Sequence, residues 1–169
     1  MTDYQEDEVY ELLILVDSTY SMVNYLEALQ SSLPKVIAIS NLTNSIARIG
    51  LLAYRDYTEA SRVKNGMLEW SGWFSNTREA SVNAQVLTSM AANLEPIGGG
   101  DYTEATKTAL AHIYQLMRKD ATTIVLLYTD APPHCWMVAD RDLGSNYHAE
   151  QNTLQQPSSY DGYGHNFAD

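Results

Sequence analysis

The hydrophobic pattern of the chain consists of short apolar runs separated by segments with helical spacing. Four runs have the length and the branched or aromatic side chains of strands, and they span residues 9–16, 46–54, 67–70 and 122–128. The first and the fourth are nearly continuous in apolar residues, which is typical of strands buried in the middle of a parallel sheet. The third run contains polar Glu69, so we expect a short strand at an edge.

Apolar residues that recur every three or four positions predict three helices. The first begins near Met22, and Pro34 is expected to break or kink it, or to start a second helix. The second follows residues 76–79 (Asn-Thr-Arg-Glu), which resemble a capping box, and the third covers about 102–118. Residues 139–169 are polar and show no such spacing, so we expect loop or partial disorder there.

This alternation of strands and helices predicts an α/β fold, with an open, mostly parallel, Rossmann-like sheet flanked by helices. The 169 residues suffice for one domain with a buried core. We divide the chain into an acidic N-terminal extension at 1–8, an α/β domain at 9–138 and a polar tail at 139–169.

Composition and charge argue against some classes of binding partner and indicate where in the cell the protein is located. The formal net charge of −11 argues against nucleic acid and against anionic membrane surfaces. The single cysteine cannot form an intrachain disulfide. The first residues are acidic, unlike a signal peptide, and no apolar run approaches the ~20 residues of a membrane span. We therefore expect an intracellular, cytoplasmic protein.

Three polar motifs lie where predicted strands end or a predicted helix begins. They are Asp-x-Thr-x-Ser at 17–21, Gly-Gly-Gly-Asp at 98–101 and Thr-Asp at 129–130. Ligands of open α/β sheets bind just beyond the carboxyl ends of the strands, and carboxylate and hydroxyl oxygens suit a hard cation such as Mg²⁺. The alternative is that these side chains cap helices, with Asp101 and Glu104 forming a capping box for a helix at Tyr102.

The order of these motifs over residues 9–134 resembles the von Willebrand factor type A domain. In that family three such loops form the metal-ion-dependent adhesion site, where a metal-bound oxygen ligand comes from a partner protein. The resemblance implies a metal held by Asp17, Thr19, Ser21, Asp101 and Asp130. The two hydroxyl groups would be direct ligands, whereas Asp17 and Asp130 would act directly or through water and would orient the hydroxyls.

Two features depart from the family pattern. The family usually has threonine on the middle loop, where this chain has Asp101, as in a subset of the family. A direct Asp101 ligand would neutralise more of the metal's charge, so it would weaken capture of a carboxylate or favour a neutral oxygen. Secondly, nothing after Asp130 predicts a neighbour for the strand at 122–128. We therefore expect a C-terminally shortened domain whose open edge self-associates or is completed by a partner or further segment.

These features predict a non-enzymatic, divalent-cation-dependent protein-binding module that uses Mg²⁺, Mn²⁺ or Ca²⁺. One alternative is a metal-assisted hydrolase using the same acids, although the sequence offers no clear nucleophile or general base and no basic residue on these loops. The other alternative is a degenerate structural module that acts through its open sheet edge.

Three further residues, His134, Asp56 and Cys135, are not assigned to the metal site or to catalysis. We interpret His134 as polar surface, with a further metal ligand as the alternative. We interpret Asp56 as part of a surface salt bridge with Arg55 or Arg62, with a position facing the same cleft as the alternative. Cys135 lacks the partner residues of a catalytic nucleophile.

Overall fold

A computed structural model describes residues 8–43, 45–57, 66–75, 80–98, 102–135 and 145–156. In chain order the elements are β1 (Tyr10–Asp17), a 3₁₀ turn (Tyr20–Met22), α1 (Val23–Thr43), β2 (Ile46–Tyr54), β3 (Leu68–Ser75), α2 (Ala80–Ala92), α3 (Thr106–Leu116), β4 (Thr122–Tyr128) and α4 (Ser145–Leu154). In these ranges no helix is both long enough and apolar enough to cross a membrane.

The strands form one sheet in the order β3-β2-β1-β4. β1 pairs in parallel with β2 on one side and with β4 on the other, and β3 joins the far side of β2 in antiparallel orientation. The predicted α/β fold with an open, mostly parallel sheet is therefore confirmed. At the carboxyl end of the central strand, Asp17 pairs with Tyr54 of β2, and Val16 pairs with Tyr128 of β4. This register brings the loops that follow three strands to the same edge of the sheet.

The two faces of β1 enter different parts of the core, because successive strand residues point to opposite sides. Leu12, Ile14 and Val16 pack with the apolar residues of α1 and α2. Leu13 and Leu15 pack on the other face, where they meet residues of α3. Burial on both faces explains why this strand is a continuous apolar run.

The expectation that Pro34 breaks the first helix or starts a second one is wrong. Pro34 is exposed inside α1, which continues as one helix from Val23 to Thr43. On its inner face Leu29, Leu33 and Ile37 are 2%, 0% and 3% exposed, so the buried stripe runs past the proline without a break. Burial of several such side chains, at roughly 1.5–3 kcal/mol each, outweighs the ~3 kcal/mol cost of a proline in a helix interior.

The expectation of loop or disorder throughout the tail is wrong for residues 145–154, which form α4. Among the α4 residues whose burial is described, 146–154, the buried positions are Asn146, Glu150 and Leu154. They follow a helical spacing of four residues, but two of the three are polar, so the hydrophobic pattern does not reveal the helix. The rest of the predicted tail, at 139–144 and 157–169, lies outside the described residues.

β4 is an edge strand among the described residues, as the missing neighbour in the sequence predicts. Ile124, Leu126 and Leu127 are 40%, 36% and 44% exposed, so the strand is only half-buried despite its apolar composition. β3 occupies the opposite edge, as expected, but it extends from Leu68 to Ser75 and is longer than predicted.

Candidate metal centre

Asp17 is the last residue of β1, and it is fully buried. Its Oδ1 accepts hydrogen bonds from the backbone N–H of Thr19 at 2.9 Å and from Thr19 Oγ1 at 2.7 Å. An aspartate that bonds to the backbone two residues on makes a tight local turn. This turn ends the strand and presents the side chains of Thr19 and Ser21 at the carboxyl edge of the sheet.

The same edge receives the side chains that follow β4. Ser21 Oγ donates to Asp130 Oδ1 at 2.9 Å, and Thr129 Oγ1 donates to Asp17 Oδ2 at 2.9 Å. Within the first loop, Thr19 Oγ1 and Ser21 Oγ lie 3.3 Å apart. The structure therefore brings Asp17, Thr19, Ser21 and Asp130 into one hydrogen-bonded network. Asp101 lies outside the described residues.

The segment that leads to Asp101 nevertheless runs beside the first loop. The backbone N–H of Ile97 donates to the Ser18 carbonyl at 3.1 Å, and that of Tyr20 donates to the Gly98 carbonyl at 3.2 Å. All three motifs predicted to meet at the site therefore have described residues at this edge of the sheet.

Helix capping does not account for the polar side chains described on these loops. Thr19 is the N-cap of the 3₁₀ turn, yet its side chain makes no capping hydrogen bond. The third helix begins at Thr106 rather than Tyr102, and its N-cap residue is Ala105, so the capping box expected at Asp101 and Glu104 is wrong. The hydroxyl of Thr19 bonds to Asp17 instead of to helix backbone.

Burial raises the pKa of Asp17, and the nearby charge of Asp130 raises it further, although the hydrogen bonds from Thr19 and Thr129 oppose these effects. Burial and the charge of Asp17 likewise raise the pKa of the Tyr54 hydroxyl. A buried carboxylate near a second one is costly to ionise without a cation. The electrostatics of the site therefore favour either protonation or a bound positive charge.

The donor set fits a hard divalent cation. Both hydroxyls use their protons on the carboxylates, which leaves oxygen lone pairs available to a metal. The 3.3 Å between Thr19 Oγ1 and Ser21 Oγ is close to the ~3 Å that separates neighbouring ligands of octahedral Mg²⁺. No group of three or more His, Cys, Asp or Glu side chains suited to a metal is found in the described ranges, so hydroxyl oxygens would have to contribute.

A second polar cluster lies nearby, and its residues were given other roles from the sequence. The prediction that His134 is polar surface is wrong, because the side chain is 1% exposed. Its Nδ1 lies 2.9 Å from Glu150 Oε2, and its Nε2 lies 3.5 Å from Asp56 Oδ1. We call Asp56, His134 and Glu150 the histidine cluster. The sequence signal for this cluster is the four-residue spacing of Asn146 and Glu150, which places both on one face of a helix. That spacing does not indicate burial unless their partners, Asp56 and His134, are known.

The surface salt bridge expected for Asp56 is also wrong, since Asp56 is fully buried and accepts a hydrogen bond from Asn146 Nδ2. Arg55 is itself buried and turns away from its neighbour. Its guanidinium donates to the Glu95 carbonyl at 3.1 and 3.0 Å and reaches Glu69 Oε2 at 3.4 Å. The adjacent Arg55 and Asp56 therefore fix different parts of the carboxyl edge of the sheet.

The charge on His134 depends on its two carboxylate neighbours. Burial opposes the charged imidazolium, but the bonds and charges of Asp56 and Glu150 outweigh it and raise the pKa of His134 to about 10. The unfolded chain has an ordinary histidine pKa of ~6.5. The folded state therefore binds this proton more tightly than the unfolded state.

We predict that the histidine cluster makes stability fall as the pH rises from about 6.5 to about 10. Because the folded pKa is raised, the contribution is fully present below the unfolded pKa and is lost as the pH passes the folded pKa. Urea unfolding at a series of pH values would measure the slope. His134→Gln, which does not titrate, should flatten the slope, and an equal slope in both proteins would contradict the prediction.

No family model matches the sequence. Over 146 residues, which are 86% of the chain, it is 36% identical to a protein named as an ariadne-like RING finger protein from Acanthamoeba polyphaga mimivirus, and it spans 13% of that relative's length.

Solved structures with a similar fold include the pilus adhesin SpaC of Lactobacillus rhamnosus GG. Its open conformation gives a TM-score of 0.56 at 15% identity, over 76% of this chain and 15% of the adhesin. A further crystal structure of the same adhesin gives 0.54 at 15% identity, over 76% and 16% of the two chains. At this identity the similarity shows the fold alone.

Proposed function

We propose that the chain is a divalent-cation-dependent protein-binding module of the von Willebrand factor type A kind, and that it is not an enzyme. The observation that carries the proposal is the hydrogen-bonded convergence of Asp17, Thr19, Ser21 and Asp130 at the carboxyl edge of the sheet. Asp17, the last residue of β1, and Thr129, the first residue after β4, meet there although they are 112 positions apart in the sequence. Four hard oxygen donors at one point are the chemistry that Mg²⁺ or Mn²⁺ requires.

The exposure of the four side chains suggests how a partner would reach the metal. Asp17 and Thr19 are fully buried, whereas Ser21 and Asp130 are exposed. A cation held between them would lie at the protein surface with one side open, where it would supply a position for an oxygen ligand. The two aspartates would already balance a +2 charge. We therefore propose that a neutral partner oxygen binds at least as well as a carboxylate, and better if Asp101 is also a ligand.

The surroundings of the site favour binding over hydrolysis. Tyr20, which lies between the two hydroxyl residues, is 70% exposed, and Tyr102, directly after Asp101, is 66% exposed. Exposed tyrosines are enriched at protein interfaces because they combine a large apolar surface with a hydroxyl group. The described loop residues 18–21, 95–98 and 129–133 include no basic side chain that would hold a phosphate. No observation specifically favours the hydrolase alternative.

The RING finger in the viral relative's name does not transfer to this chain. A RING zinc site needs several cysteine ligands, and this chain has one cysteine. The relative is much longer, and the chain spans 13% of it. We therefore propose a recognition role for the matching segment, separate from whatever its RING finger does.

Calorimetric titration with Mg²⁺ and Mn²⁺ tests the proposal. We expect saturable binding to the wild type and binding weakened at least tenfold in Asp17→Ala, because Asp17 holds both Thr19 and Thr129. Asp120→Ala is the matched control, since Asp120 is an exposed acid paired with Arg118. Absence of saturable binding to the folded wild type, or equal binding to Asp17→Ala, would refute the metal site. Turnover of generic phosphoesters with Mg²⁺ would favour the hydrolase instead.

A second candidate function, contact through the sheet edge, is favoured by one observation. The apolar edge strand β4 leaves Ile124, Leu126 and Leu127 exposed among the described residues. Edge strands with exposed apolar side chains are templates for pairing with another chain.

We predict that the chain self-associates through β4. Sedimentation velocity at several concentrations should show a rising average mass for the wild type. Leu127→Lys, which places a charge on the 44% exposed position of the edge, should shift the equilibrium toward monomer. Thr122→Lys adds the same charge at the exposed start of the strand and should have a smaller effect. A monomer at all concentrations would contradict the prediction.

A further inference from the structure

The histidine cluster lies behind the candidate metal centre and connects α4 to the loops that form it. We infer that Asp56, His134 and Glu150 are positioning residues for the metal site, and that α4 is a required part of its scaffold. The inference rests on the proposed function, because it concerns the affinity of the same site. Its support comes from side-chain hydrogen bonds of the cluster and from backbone hydrogen bonds of His134 and of residues near Asp56.

Glu150 connects α4 to the start of α3. Its Oε1 accepts hydrogen bonds from the Thr108 backbone N–H at 2.8 Å and from Thr108 Oγ1 at 2.9 Å. The first turn of a helix has N–H groups without intrahelical partners, and the N-cap residue Ala105 offers no side-chain acceptor. Glu150 therefore caps α3 from a different helix and fixes the position at which α3 begins, five residues after Asp101.

His134 connects α4 to the loop that carries Asp130. Its backbone N–H donates to the Glu104 carbonyl at 3.3 Å, and the Glu104 N–H donates to the Pro132 carbonyl at 3.0 Å. These bonds form a short parallel bridge between Glu104 and Pro133. The segment after Asp130 is thus hydrogen-bonded to the residues that follow Asp101. The buried imidazole of His134 connects the same segment to Glu150.

Asp56 connects α4 to the end of β2 and through it to the first loop. It accepts a hydrogen bond from Asn146 of α4 and lies 3.5 Å from His134 Nε2. Two residues earlier, the Tyr54 carbonyl accepts a hydrogen bond from the Ser18 N–H at 2.8 Å. The three contacts together connect α4 to α3, to the segment that follows Asp130 and to the residues that follow β2.

The charges of the cluster make this arrangement sensitive to the loss of any member. A protonated His134 between Asp56 and Glu150 leaves a formal charge of −1 in a buried space. Removal of His134 leaves two buried carboxylates without a counter-charge, and removal of Glu150 takes away the carboxylate that His134 Nδ1 contacts at 2.9 Å. The structure relieves either change by moving or by admitting water. Residues that orient metal ligands typically change metal affinity by about 10–100-fold when substituted.

Mn²⁺ titration of near-isosteric variants tests the inference. His134→Gln and Glu150→Gln keep the size of the side chains but remove the ion pairs, and we expect their Kd for Mn²⁺ to rise about 10–100-fold. His148→Gln, exposed on α4, and Glu27→Gln, exposed on α1, are the matched controls and should bind within about twofold of the wild type. All titrations are made well below the melting temperature of each variant, so that a loss of stability alone leaves the Kd unchanged.

Amide hydrogen exchange of the wild type with and without Mg²⁺ gives a test that needs no substitution. Coupling between sites is reciprocal, so a helix that positions the metal loops should itself be protected by the metal. We expect slower exchange in α4 (Ser145–Leu154) as well as in residues 17–22. Exchange that slows only in the loop would overturn the inference.

The outcomes separate the two proposals. If the folded wild type binds no metal, the proposed function fails and the inference fails with it. If the wild type binds metal and His134→Gln and Glu150→Gln bind equally well, only the inference fails. If either variant does not fold, the exchange experiment on the wild type decides.

Discussion

Mg²⁺ at about a hundredfold excess over its Kd is expected to raise the free energy of unfolding by about 2.7 kcal/mol. The gain follows from mass action, because the ligand set exists only in the folded state, where Asp17, Thr19, Ser21 and Asp130 meet. Urea denaturation with and without Mg²⁺ measures it. The gain should diminish on acidification, since protons compete with the cation for Asp17, whose pKa is raised by burial and by the charge of Asp130.

The variant Asp17→Ala should lose this metal-dependent gain. Without metal the substitution has opposing effects, because it removes a buried carboxylate that is costly to ionise but leaves the hydroxyls of Thr19 and Thr129 without their acceptor. The informative quantity is therefore the difference between stability with and without Mg²⁺ in each protein. Asp120→Ala should keep the full difference. A wild-type denaturation curve unchanged by Mg²⁺ would argue strongly against a metal site.

Glu150→Ala is expected to lower the free energy of unfolding by about 3–5 kcal/mol. The fully buried carboxylate accepts hydrogen bonds from Thr108 and contacts His134 at 2.9 Å. Its removal leaves the Thr108 backbone N–H, in the first turn of α3, without this acceptor and a buried imidazolium with one fewer counter-charge. Urea denaturation near pH 7 measures the loss, and the control is Asn152→Ala on the exposed face of the same helix, which should change stability by less than about 0.5 kcal/mol.

A loss below about 1 kcal/mol for Glu150→Ala, within the range of an ordinary single hydrogen bond, would contradict this prediction. It would mean that α4 can leave the domain with little effect on the rest of the fold. The positions of His134 and Asp56 would then have to be maintained without α4, although both contact that helix in the structure.

The sequence by itself determined the sheet and the order of the site motifs. β1 and β4 were predictable as strands because a continuous apolar run followed by polar residues is typical of a strand and its end, and both properties are local in sequence. The burial that such a run predicts holds for β1 but not for β4, which is half-buried. The parallel arrangement of these strands then requires Asp17 and Asp130 to lie at the same edge. Local patterns therefore locate both strand ends, and parallel pairing of the strands brings the side chains of the first and third motifs together, as the sequence predicts.

Only the tertiary structure decided the uninterrupted helix α1, the existence of α4 and the burial of Asp56 and His134. In α1, packing of the inner face outweighs the local preference of Pro34. In the histidine cluster, the two buried carboxylates accept hydrogen bonds from partners distant in sequence. Thr108 and Glu150 are separated by 42 positions, and Asp56 and Asn146 by 90. A local sequence pattern predicts that a charged or amide side chain is exposed, because its burial is favourable only when the folded chain supplies a partner for it.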